Sequence, residues 1–256
     1  MSETVLSRTA NRLRWYNLLM GTFHMLQGVL IVRLSNEFSI PVTAIFLEGP
    51  PGSEPSSVVE LFSISIGWAV ASFVLLSAIA HYLIASPLLF GWYVANLARS
   101  RNYARWIEYS VSASFMMLLI AMLPGVTDIA ALINIFAANA AMILFGLVME
   151  HYEEPGRPNW YSYGLGAMIG LAPWLAIGVY LWSPTTSASP PVFVYGIFVS
   201  IFVFFNTFAV NMVLQYRRIG PWRNYIFGES VYIFLSLVSK SALAWQVFAG
   251  TLVPEG

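Results

Sequence analysis

The sequence predicts an all-α membrane protein, a single domain (1–256) built as a bundle of seven transmembrane helices. Three observations predict it. Hydrophobic residues make up 58% of the chain and charged residues only 9%, against about 25% charged in soluble proteins. Seven apolar segments, each long enough for the roughly 20 residues that a spanning helix needs, alternate with turn-forming residues. The arginines collect on alternate connections, as the positive-inside rule requires of a multi-pass protein. Mean hydropathy is +0.71.

In chain order the predicted spans are 13–34, 60–85, 103–123, 128–149, 161–182, 191–215 and 224–250. The breaks between them carry Glu48-Gly-Pro-Pro-Gly, Pro124-Gly125, Glu154-Pro-Gly, Ser183-Pro through Pro190-Pro191, and Gly220-Pro221. Pro173 falls inside the fifth span, where neighbouring helices can re-satisfy a freed carbonyl. The polar, arginine-bearing start of the chain has no small-residue cleavage pattern, so the first helix is expected to be retained. The longest connection, 36–59, holds SIPVTAIFLEGPPG, whose β-branched residues and glycine–proline punctuation predict a strand or hairpin. A lid over the outer face and a dimer contact are both open to it.

With a cytoplasmic N-terminus, Arg8, Arg12, Arg14, Arg99, Arg101, Arg105, Arg157, Arg217, Arg218 and Arg223 lie inside and only Arg33 outside. Seven spans then put the C-terminus on the extracellular side of the cell membrane. The net charge of zero suggests no basic surface for nucleic acid. The absence of cysteine excludes disulfides and thiolate chemistry.

Lys240 is the only lysine and sits near the middle of the last span. An amine at bilayer depth costs about 3 kcal/mol, which points to a functional site; a lysine that snorkels to the interface or ion-pairs for structure is the alternative. Unlike arginine, it can lose its proton and condense with an aldehyde. Glu108, about two turns into the third span, is the best-placed anion for it; pairing with Arg105 at i−3 is the competing reading. Ser236 precedes Lys240 by one turn on the same face. His24 and His81 lie at similar depths on adjacent helices and either hold a proton or simply pack. Ser77, one turn before His81, joins that cluster, and Ser112 is placed with the pocket around Lys240. Glu150 is expected to pair with Arg105. Asn17, Gln27, Asn134, Asn139, Asn206 and Asn211 are available to bridge helices. The phenylalanines of the sixth span, with Trp245, Met142, Met116 and Trp174, could wall a long flat apolar ligand; lipid-facing aromatics are the alternative for each. No HExxH, GxSxG, P-loop or dinucleotide motif is present, and three histidines, with His151 expected in a loop, give a metal little to bind.

LSLVSKSALAWQ around Lys240, RWIEYS around Glu108, HMLQ with His24, FFNTFA in the sixth span and EGPPG in the long first loop resemble the heliorhodopsins, the inverted-topology branch of the microbial-type retinal proteins. The resemblance runs over essentially the whole chain. It implies a photoreceptor, not an enzyme. All-trans retinal would be held as a protonated Schiff base on Lys240, with Glu108 as counterion, Ser236 beside the linkage, and His24 with His81 as the proton-holding cluster. Phe205 would lie against the polyene. It further implies a homodimer involving the first extracellular loop, and an unidentified signalling partner. Leu119 and Ser236 stand where proton-pumping relatives carry carboxyls, which argues against pumping. The rivals are a light-gated proton channel or transporter with the same chromophore, and a membrane enzyme or binding protein using Lys240 on a lipid-soluble carbonyl.

Overall fold

A computed structural model describes residues 3–54, 57–182 and 189–253, with side chains from residue 10 onward. Among these residues the chain forms eight α-helices and one hairpin: α1 Glu3–Leu34, β1 Ser39–Ala44, β2 Val59–Ser65, α2 Ile66–Ala85, α3 Phe90–Leu97, α4 Tyr103–Met122, α5 Ile129–Tyr152, α6 Tyr161–Leu181, α7 Val192–Tyr216 and α8 Tyr225–Val247. The last turn widens into a π-helix at Phe248–Leu252. Ser183-Pro184 in the predicted fifth break, the closing Pro254-Glu255-Gly256 and the Arg8 side chain lie outside the described residues.

Six of the helices are long and apolar enough to cross a membrane: α1 from Ala10, α2, α5, α6, α7, and α8 with its π-turn. The other long helix, α4, spans 20 residues but holds Arg105, Glu108 and three serines. Its lower hydropathy comes from the residues that make the site. Side-chain caps fix where helices start. Asn102 accepts from the Arg105 amide, Asp128 from Ala131 and Asn224 from Ile226, each satisfying an orphan first-turn donor.

Two expected elements are redrawn. The second helix begins at Ile66, not near 60, because Val59–Ser65 pairs antiparallel with Ser39–Ala44. The segment VELFSIS is apolar enough to read as helix, yet it supplies the second strand of the hairpin predicted in the long loop. Val42 and Ala44 are buried beneath it, while Leu61 and Phe62 face outward. The hairpin is tied to the α4–α5 turn: the Thr43 amide donates to the Thr127 carbonyl at 2.9 Å, and the two threonine hydroxyls meet at 3.1 Å. The connection 86–102, expected as a loop, contains α3, whose Tyr93 and Leu97 are buried.

The core has two main parts. Toward the hairpin, apolar residues of α2, α4, α6, α7 and α8 form a buried cluster that includes Phe73, Met117, Ile177, Ile197 and Leu243. Toward the opposite end, Trp106, Met149, Met212 and Tyr232 pack around polar groups.

Candidate functional site

Three helices bring the charged centre together. Lys240 of α8 donates to Glu108 Oε1 of α4 at 2.8 Å. It also makes a short hydrogen bond with Ser77 Oγ of α2, and Ser77 Oγ bonds Glu108 Oε1 at 2.6 Å. The ion pair is buried, with side-chain exposures of 3% for Lys240 and 12% for Glu108. Each charge would be costly alone, so the pair and its serine account for one another. The ammonium also lies 5.1 Å from the Tyr109 ring centroid, within cation–π range. The alternative partner for Glu108 is removed, because Arg105 turns to Glu150 and Glu229.

Ser77 joins the Lys240–Glu108 pair itself, closer to the charge than its expected place beside His81. The two histidines stack, with centroids 5.7 Å apart and planes at 14°. His81 Nδ1 meets Asn17 Oδ1 at 2.7 Å. Neither ring nitrogen of His24 has a hydrogen-bond partner among the described residues. Ser112, one turn beyond Glu108, is fully buried.

On the other side of Lys240 lies a cavity of about 360 Å³, walled by α4, α5, α6, α7 and α8. Small-molecule sites run from about 300 to 1,000 Å³. Its apolar walls include Met116, Met142, Trp174, Phe202 and Phe205; Lys240, Ser236 and Ser239 are among its few polar lining groups. Trp174 meets Phe202 and Phe205 edge-on, at 5.1 and 5.5 Å. Trp245 does not reach this space: its indole donates to Gln27 of α1 at 3.1 Å and its ring packs on Phe248. An aromatic slot ending at a lone buried amine fits an elongated apolar aldehyde, and the donor set offers it one covalent anchor with an anion behind it.

Of the six amides expected to bridge helices, Asn17, Gln27, Asn139 and Asn211 do, to His81, Trp245, Ser114 and the Gly228 carbonyl respectively. Asn134 and Asn206 bond carbonyls of their own helices. His151 is in the last turn of α5, not in a loop, and pairs with the Tyr103 hydroxyl at 2.6 Å.

A second charged cluster sits at the end opposite the hairpin. Arg105 bridges Glu150, at 2.5 Å, and Glu229. The Arg105–Glu150 pair is expected from sequence; Glu229 is not. The missing signal is spacing: Glu229 precedes Lys240 by eleven residues, three helical turns, which puts both on one face of α8.

The heliorhodopsin family model matches residues 13–252 of this chain. A comparison with curated proteins found no match. The match covers nearly the full length, and the chain belongs to the heliorhodopsin family. It is therefore a multi-pass membrane protein of seven-helix rhodopsin type, a retinal-binding light sensor.

Proposed function

We propose that this heliorhodopsin is a photoreceptor carrying all-trans retinal as a protonated Schiff base on Lys240, with Glu108 as counterion, and that it signals without pumping ions. The observation that carries the reading is the buried 2.8 Å pair of Lys240 and Glu108 at the head of an aromatic cavity. Bound retinal supplies the light absorption and the change of shape; the chain's own residues supply the rest. Glu108 and Ser77 keep the nitrogen protonated by holding a negative charge and an acceptor against it. Met142, Trp174 and Phe205 fix the chromophore in the slot, while Ser236 and Ser112 add polarity at its charged end. When light weakens the Lys240–Glu108 pair, the stacked His24 and His81 are the nearby groups able to take a proton inside the protein. Leu119, buried and apolar, interrupts the outward route from Glu108.

The whole chain acts as one membrane domain with its N-terminus in the cytoplasm. The hairpin is extracellular, caps the bundle end and takes part in a homodimer, and the signal passes through the cytoplasmic face to a protein partner. Support for this orientation is the gathering of all arginines except Arg33 at the end opposite the hairpin.

Because Lys240 is the only lysine, attachment can be tested directly. Borohydride reduction of the retinal-loaded protein, followed by peptide mapping, is expected to place the retinyl group on Lys240. A retinyl group found elsewhere, or none, contradicts the attachment. Clamped cells expressing the protein are expected to be electrically silent under illumination; a photocurrent would make it a light-gated proton channel or transporter instead.

A further inference from the structure

The Arg105 cluster sets two carboxyl groups against one cation. Both carboxylates are sealed: side-chain exposure is 3% for Arg105, 2% for Glu150 and 1% for Glu229. One guanidinium between two ionised carboxylates would leave a net buried charge, which costs several kcal/mol, and like charges sharing a partner do not ionise independently. Hydrogen bonding distinguishes the two acids. Glu150 receives four donors: Arg105 Nη2 at 2.5 Å, and the Tyr225 hydroxyl, the Asn102 amide and Trp106 Nε1, each at 2.7 Å. That is a full shell for an anion. Glu229 receives Arg105 Nη1 and, at 2.5 Å, Asn102 Nδ2; its remaining neighbour, the Tyr93 hydroxyl, stands at 3.4 Å. An Oη there can accept as well as donate.

We propose that Arg105, Glu150 and Glu229 form a second internal proton site, distinct from the Lys240–Glu108 pair, in which Glu150 is ionised against Arg105 and Glu229 carries one proton that it donates to Tyr93 Oη. The other titratable groups around it are Tyr216 of α7 and Tyr225 and Tyr232 of α8, all phenols. Burial holds the Tyr93 phenol well above the usual range, so it stays a neutral partner. Glu150 and Tyr225 also line a groove of about 360 Å³ at this end of the bundle, with Arg99, Arg101, Arg218 and Arg223 against Glu153 and Glu154. Arg99, Arg218 and Arg223 are exposed, so water screens them from the buried pair. The groove brings the Glu150 side of the site next to this polar surface, while Glu229 lies behind it. Since Glu229 and Lys240 share one face of α8, movement of that helix reaches both.

The test is dark-state infrared spectroscopy of the purified full chain in H2O and D2O, which needs no chromophore. Wild type is expected to show one deuterium-sensitive protonated-carboxyl band that Glu229→Gln lacks. Tyr93→Phe, which removes the acceptor, should move that band to higher frequency without abolishing it. No difference between wild type and Glu229→Gln would overturn the proposal, and a band unmoved in Tyr93→Phe would overturn the donation of the Glu229 proton to Tyr93. Should Glu229→Gln not fold, Glu150→Gln decides. There Glu229 should ionise against Arg105 and the band should vanish; an unchanged band overturns the site.

Discussion

Removing one member of a buried charge pair strands the other. Glu108→Gln leaves the Lys240 ammonium facing Ser77 and an amide, where a full counter-charge stood 2.8 Å away. Breaking such a pair costs about 3–5 kcal/mol, so a large fall in thermal midpoint is expected, read by circular dichroism in detergent. In the pigment the same change should move the visible band to longer wavelength. A carboxylate beside the nitrogen stabilises the ground state, in which positive charge sits there, more than the excited state, in which charge has moved along the polyene. A variant with unaltered stability and colour would remove Glu108 from the counterion role. At this scale the sequence is legible where a charge breaks an apolar pattern, as at Lys240 and Glu108. It is obscure at Glu229, which looks like an ordinary charge at the start of a helix. Its burial becomes visible only when α3 and α4 fold over it and present Tyr93, Asn102 and Arg105.

Among the elements, α4 and α5 meet where Gly146 faces Trp106. A Cβ at 146 would overlap the indole ring, with Cε3 at 3.0 Å and two further ring atoms nearer still. Gly146→Leu should therefore push Trp106 off its 2.7 Å bond to Glu150. Overpacking of this kind costs about 1–3 kcal/mol, and a lowered thermal midpoint with altered tryptophan fluorescence is expected; an unchanged midpoint would show that the helices separate freely there. The seven long helices are legible because their apolar runs are bounded by glycine, proline and capping residues. The eighth is not: FGWYVANL is only two turns long and its burial depends on packing against α2 and α8. The strand Val59–Ser65 is hidden for a different reason. Val59, Leu61, Phe62 and Ile64 lead into α2 with no glycine or proline before Ile66, and only pairing with Ser39–Ala44 makes the segment a strand.

For the molecule as a whole, the arginine-rich end and the hairpin end divide the work proposed here, one facing a cytoplasmic partner and the other a second copy of the chain. The outward side of β2 exposes Leu61 and Phe62, each more than 40% accessible, an apolar patch outside the spans. If this face closes the homodimer, Phe62→Glu should yield monomers by light scattering in detergent while leaving the retinal cavity intact; an unchanged dimer would exclude the β2 face. The photoreceptor function depends on a chromophore held by Lys240. The direct measurement is the visible absorption spectrum of the purified protein with all-trans retinal, beside Lys240→Ala and Glu108→Gln. A visible band in wild type, absent from Lys240→Ala and red-shifted in Glu108→Gln, is the predicted result. A spectrum showing only free retinal in wild type, or an equal visible band in Lys240→Ala, would contradict it.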